Sequence, residues 1–173
     1  MLFDDISKED KTKAKGVVRV LFETHKGLSM IILFEMLLDF TIRFDKNDFN
    51  YLNRDFKYSI QSSLRKLAKK SYIIKVDKIR TRNLYEIPAN MFPDVLILFK
   101  HRLFKILDYY EENNLSVPVD IVLVFKIVDR LSFCSVRDIL HYRVMASLKM
   151  LDEDAFDVFA IERLDFLKAN YDL

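Results

Sequence analysis

Apolar residues recur at helical spacing along most of the chain. Between Lys11 and His25, the residues Ala14, Val17, Val18, Leu21 and Phe22 share one face. Lys26-Gly27 then reads as a stop, with Gly27 at the C-terminal cap. Leu28 to Phe40 is apolar on almost every side, which predicts a deeply buried helix. Thr41 to Phe44 alternates and suits a short strand. Asp48 can cap a helix carrying Phe49, Leu52 and Phe56. Ser59 can cap the next helix, Ser59–Lys70, whose buried face is Ile60, Leu64, Leu67 and Ala68. Tyr72–Val76 and Asn83–Ile87 read as two strands, joined by the charged link Asp77–Arg82 as a loose hairpin.

Past Pro88 the pattern is helical again, and Ala89–Pro93 reads as a domain boundary. Val95–Tyr110 is a long apolar helix opened by Pro93-Asp94. Ser116 and Pro118 open a second helix, Val119–Leu131. Cys134 or Ser135 begins a third that runs to Leu151. Asp152 to Asp154 supply acids to the first turn of a fourth, with Phe156, Phe159, Leu164 and Leu167 as its apolar face. Residues 1–10 read as a flexible arm, 11–88 as one domain and 89–173 as a helical region. The expected fold class is mainly α with a small β-hairpin.

Composition agrees with that class. Of 173 residues only 2 are Gly and 3 are Pro, so tight turns are few and long helices are favoured. An apolar fraction of 51% beside 31% charged residues is the balance of a folded chain, not of a disordered one. Cys134 is the one cysteine, which excludes an internal disulfide and a thiolate metal cluster within one chain. His25, His101 and His141 are far apart, and neither Gly16 nor Gly27 sits in a phosphate-binding glycine loop. No nucleophile-base or paired-carboxylate arrangement stands out, so no enzyme, cofactor or metal is expected. The first ten residues lack the apolar core of a secretory leader. The apolar stretches Met30–Leu38 and Val119–Val128 fall short of the ~18–20 residues a bilayer requires. A cytoplasmic protein with no membrane contact is expected.

The net charge of +2 conceals a strong asymmetry. Arg54 to Arg82 contains 10 Lys or Arg and 2 acids, whereas Leu151 to Leu173 contains 7 acids and 2 bases. Clustered cations of this kind suit a polyanion. They coincide with a short helix, a turn, a second helix and a hairpin between Phe49 and Ile87. In a helix-turn-helix the second helix lies in the major groove and needs two unlike faces. Opposite its apolar face the Ser59–Lys70 helix carries Gln61, Ser62, Arg65, Lys66 and Lys69. Gln pairs with adenine and Arg with guanine through two hydrogen bonds each. Lys66, Lys69 and Lys70 suit phosphates, Lys57 and Ser59 are further candidate DNA contacts, and Lys75, Lys78, Arg80 and Arg82 give the hairpin a cationic tip for the backbone or the minor groove.

The run YLNRDFKYSIQSSLRKLAKKSYI, Tyr51 to Ile73, resembles the core of winged helix-turn-helix transcriptional regulators of the MarR, ArsR and PadR type. Ser59, Ser63, Leu64, Arg65, Leu67, Tyr72 and Ile73 match the segment that leads into the wing in those families. Lys57 and Ser71 stand where those families usually hold Gly. The resemblance covers about residues 28–88. It implies a winged helix-turn-helix domain over 11–88, with Gln61, Ser62 and Arg65 in the groove and Lys78, Arg80 and Arg82 reaching DNA from the wing.

The mildly acidic residues 89–173 are expected to fold against the winged helix, bind an effector or join two subunits, and the resemblance implies a dimer formed by a helix after the wing. Val95–Tyr110 has apolar residues around most of its circumference, so Leu96, Phe99, Leu103 and Leu107 are expected at a homodimer interface. The expected function is double-stranded DNA binding by a transcriptional regulator, of viral or plasmid type from its Lys-, Asn- and Phe-rich composition. The alternative is a winged helix used for protein contact in a replication, partition or trafficking assembly. A small-molecule effector is left open.

Overall fold

Helix α1, Lys8–Thr24, begins where the Ser7 hydroxyl accepts the Asp10 amide at 3.0 Å, with Glu9 and Asp10 at its positive end. The computed structural model describes residues 6–38, 59–79 and 82–153, with isolated helical positions at 161, 165, 166, 168 and 169. At 77–79, 82, 146, 147 and 149–153 it describes the backbone only. Within the span expected as an arm, Ile6 is buried in the core, Ser7 is a helix cap and residues 8–10 are helical. The expected strand Thr41–Phe44, the helix from Asp48 to Phe56 and the last helix's face from Phe156 to Leu167 lie wholly or mainly outside the described residues.

Three helices end in one way. The backbone turns left-handed at Lys26, at φ 55°, and Gly27 donates to the Phe22 carbonyl at 2.7 Å. Ser71 (φ 64°) and Asn114 (φ 54°) take the same role after two later helices, with Tyr72 donating to Leu67 and Leu115 to Tyr110. Each end satisfies helix carbonyls that would otherwise lack a donor. Gly27 is thus not the left-handed residue its position suggested. Its need is space, since a Cβ there would meet Phe22 Cδ1 at 2.5 Å.

Helix α2, Leu28–Leu38, is the centre of the core, as its all-round apolarity predicts. It packs on α1, on α3 (Ile60–Lys69) and on α4 (Phe92–Glu112). Phe34 stacks on Phe99 of α4 with ring centroids 4.8 Å apart, and Phe22 of α1 meets the same ring at 5.5 Å. Glu35, the one acid of α2, pairs with Lys15 of α1 at 3.2 Å. Helix α5, Val122–Ser132, covers both α1 and α4. One hydrophobic cluster therefore runs through both sides of Pro88, and the proposed division there is not a division of the core.

That packing also corrects the proposed dimer contacts. Leu96, Phe99 and Leu103 are buried within this chain, and Leu107 is packed against the same core. The apolar circumference of α4 is wide because α2 and α5 cover different sides of it. The large apolar residues it leaves exposed are Ile97, Phe104 and Tyr109.

Strands β1 (Ile74–Ile79) and β2 (Arg82–Glu86) form one antiparallel hairpin. The register pairs Ile74 with Glu86, Lys75 with Tyr85, Asp77 with Leu84 and Ile79 with Arg82. An irregularity between Lys75 and Asp77 leaves Val76 as the extra residue, a bulge. Asp77, Lys78, Ile79 and Arg82, expected in a loose link, belong to the strands, so the hairpin is longer and tighter than expected.

A 3-10 turn at Ala89–Met91 leads into α4 and touches both α4 and α6 (Val136–Glu153). Helix α5 starts at Val122 rather than Val119, because the Asp120 carboxylate accepts the Val122 amide at 3.0 Å. Helix α6 starts with a reciprocal cap. Ser135 donates its amide to Asp138 Oδ2 at 2.8 Å, and the Asp138 amide donates to Ser135 Oγ at 3.1 Å. Asp152 and Glu153 lie within this helix, and Asp154 lies outside the described residues. Among the described residues no helix is long and apolar enough to cross a membrane.

Candidate nucleic-acid interface

Helix α3 has the two unlike faces the sequence predicts. Ile60, Leu64 and Leu67 are buried, and Ala68 is packed beside them. Ser62, Arg65, Lys66 and Lys69 project on the opposite side and are exposed, with Ser59 and Lys70 exposed at the two ends. Gln61 lies at the flank of that face and is half-buried. Residues 62, 65, 66 and 69 fall within about one-third of the helical circle at 3.6 residues per turn. They form one continuous polar stripe. No acid lies in the helix, and among the described residues none of these cations is held in an ion pair.

Lys66 and Lys69 also stand in the last turn, where a cation favours the negative end of the helix dipole. Ser59 occupies the N-cap position, but its side chain makes no capping hydrogen bond; its carbonyl accepts the Ser63 amide at 2.9 Å. The expected side-chain cap is therefore absent from this end.

Helix α3 passes into β1 through the left-handed Ser71 and the buried Ile73. This short connection fixes the hairpin beside the end of α3. Lys75 is exposed on β1. Lys78 pairs with Asn83 and Ile79 with Arg82 in the backbone register, at the turn end of the hairpin. Lys57 and Arg80 lie outside the described residues, and of Lys78 and Arg82 only the backbone is described. The structure thus brings together Ser62, Arg65, Lys66 and Lys69, with Lys75 on the strand that follows.

The base of the hairpin is fixed by a contact that sequence reasoning missed. Leu84, Tyr85, Glu86 and Ile87 are buried in succession, so both faces of β2 are covered. Arg143 of α6 reaches the Glu86 carboxylate and donates to the Ile87 carbonyl. Glu86 in an alternating strand reads as solvent-facing. The available signal was Arg143 itself, a cation on the otherwise apolar face formed by Ile139, Leu140 and Tyr142.

Burial, and then the Asp138 charge, push the Cys134 thiol above its ordinary pKa, away from thiolate chemistry. Its Sγ lies 3.8 Å from the Arg130 carbonyl. Among the described residues no group of three or more His, Cys, Asp or Glu is placed to hold a metal ion.

Compared with known proteins, the chain matches no protein-family model, no curated protein and no solved structure.

Proposed function

We propose that this chain binds double-stranded DNA as a winged helix-turn-helix regulator, with α3 in the major groove and the tip of the β1–β2 hairpin on the backbone. The observation that carries the reading is the exposed stripe Ser62, Arg65, Lys66 and Lys69, directly opposite the buried Ile60, Leu64 and Leu67. A groove-reading helix needs a firmly seated back and an unencumbered front. Arg65 supplies the bidentate donor that reads guanine, and Gln61 and Ser62 stand one turn before it. Lys66 and Lys69 suit phosphates. Arg143 supports the reading by holding the base of the hairpin at Glu86 and Ile87. The proposal extends to a homodimer on a two-fold-symmetric site. Its contacts would involve exposed α4 residues such as Ile97 and Phe104, since Leu96, Phe99 and Leu103 are occupied within one chain.

The test is selection of bound sequences from a random duplex library, followed by titration of the winner over a range of salt. Neutralising five or so phosphates gives a log-log salt slope of about −4 to −5. A flat salt response with no enriched sequence assigns the stripe to protein contact instead.

A further inference from the structure

Away from α3 there is a second cationic cluster, and this one surrounds a cavity. A cavity of about 270 Å³ opens between the end of α1, the start of α2 and the outer half of α4. Its floor is apolar: Phe22, Met30 and Ile106 are each buried. Its mouth carries three exposed cations, Lys26, Arg102 and Lys105. Among the described residues no acid lines it, and none of the three cations is held in an ion pair.

The wall is aromatic and held in place. The His25 ring meets Tyr109 edge-on at 5.2 Å and Tyr110 at 5.4 Å, and its Nε2 lies 3.2 Å from the Tyr110 hydroxyl. Arg102 and Lys105 are three residues apart on α4, with Ile106 and Tyr109 one turn further on. One helix therefore presents charge at the mouth and apolar surface behind it. The left-handed turn at Lys26 sets that residue at the opposite rim.

We propose that this cavity binds a small phosphate monoester with a compact apolar ring. The ring lies on Phe22, Met30 and Ile106, and the phosphate stays at the mouth between Arg102, Lys105 and Lys26. Three cations around a lining that holds no acid match a dianion better than a monoanion. Arg102 can take two phosphate oxygens at once, and the lysines act as point charges. The volume lies just under the usual range of about 300–1,000 Å³ for small-molecule sites, which favours a single ring over a larger ligand. Nothing in this reading depends on whether α3 binds DNA, because the two clusters share no residue.

The experiment is calorimetric titration of the full chain, without DNA, using phenyl phosphate, inorganic phosphate and phenol. Phenyl phosphate is expected to bind at least tenfold more tightly than either of the others. The exposed double variant Arg102→Ala/Lys105→Ala, checked for an unchanged melting curve, is expected to lose at least tenfold. Equal binding of inorganic phosphate would reduce the site to a general anion patch and overturn the proposal. Equal binding of phenol, undiminished binding by the double variant, or no binding of phenyl phosphate at millimolar concentration would each overturn it as well.

Discussion

The Arg143 guanidinium stands 4.0 Å from the Glu86 carboxylate, with only 5% and 4% of the two side chains exposed. Arg143 also donates to the Ile87 carbonyl, so one side chain ties α6 to both the strand and its exit. A buried ion pair adds little net stability over a well-packed apolar pair, but removing one partner takes the counter-charge from a buried group. Arg143→Met should therefore destabilise the fold by about 3–5 kcal/mol. Glu86→Leu combined with Arg143→Met should recover much of that loss, because the two buried charges are removed together. Denaturant unfolding of the two variants checks both statements; a double variant as unstable as the single one contradicts the buried-charge account.

The two glycines should respond to alanine in opposite directions. At Gly16, inside α1, an added Cβ meets nothing within 4 Å. Gly16→Ala should raise stability by about 0.5–1 kcal/mol through helix propensity. At Gly27 the same Cβ would lie 2.5 Å from Phe22 Cδ1, against a ring packed in the core. Gly27→Ala should destabilise, and thermal melts should move apart in sign. Ser71→Gly belongs with the stabilising group, by about 1 kcal/mol, since Ser71 is a non-glycine residue at positive φ.

These positions show what the sequence could and could not reveal. Helical spacing located α1, α2, α3 and α4 because each buries a stripe set by its own period. The left-handed Ser71 was legible through the resemblance, which puts Gly at that position. The end of α1 was not. A Lys-Gly pair does not say which residue turns left-handed, and Phe22, five residues before Gly27, decided it. The hairpin was placed correctly but cut short, because Asp77, Lys78 and Arg82 look like link residues while backbone pairing extends through them. Leu96, Phe99 and Leu103 were assigned to a partner because periodicity counts apolar faces without saying which helices of the same chain cover them. The basic stripe of α3 was legible residue by residue. The cavity at His25 and Arg102 was not, since its walls are remote in sequence and Arg102 sits in a helix read mainly for its apolar residues.

The start of α6 should be sensitive to acid. Hydrogen bonds from the Ser135 amide and then the Ser135 hydroxyl hold the Asp138 carboxyl below its ordinary value of 3.8. A carboxyl depressed in the folded state contributes stability that is present above its unfolded value and lost as pH falls through its folded value. Ser135→Ala should cost about 1 kcal/mol at neutral pH through loss of the cap. Asp138→Asn should be less stable than the parent at neutral pH, with the difference shrinking as pH drops below the ordinary carboxylate range. Unfolding midpoints across a pH series measure this. A difference that grows on acidification reverses the sign and rules out the capping carboxylate as its source.

On DNA, α3 and the hairpin should fail in different ways when mutated. Arg65 is exposed on the stripe opposite Leu64 and Leu67, one turn after Gln61. A guanine contact through two hydrogen bonds puts the cost of Arg65→Ala at roughly 1–3 kcal/mol on the preferred duplex, with relaxed preference at one base position. Arg80 and Arg82 belong to the turn end of the hairpin by sequence, where phosphate or minor-groove contact carries no base-by-base code. Replacing both with Ala should weaken binding to every duplex alike and lower the salt slope by about one to two units. Ser71 lies between the two elements, and a change there that alters stability should leave both signatures intact at temperatures well below melting. Anisotropy titrations of the preferred and a scrambled duplex at several salt concentrations separate the cases. Loss of base preference from the Arg80/Arg82 pair, with none from Arg65, would place the reading element on the hairpin. No change from either would remove α3 and the hairpin from DNA altogether and leave the exposed stripe to a protein partner.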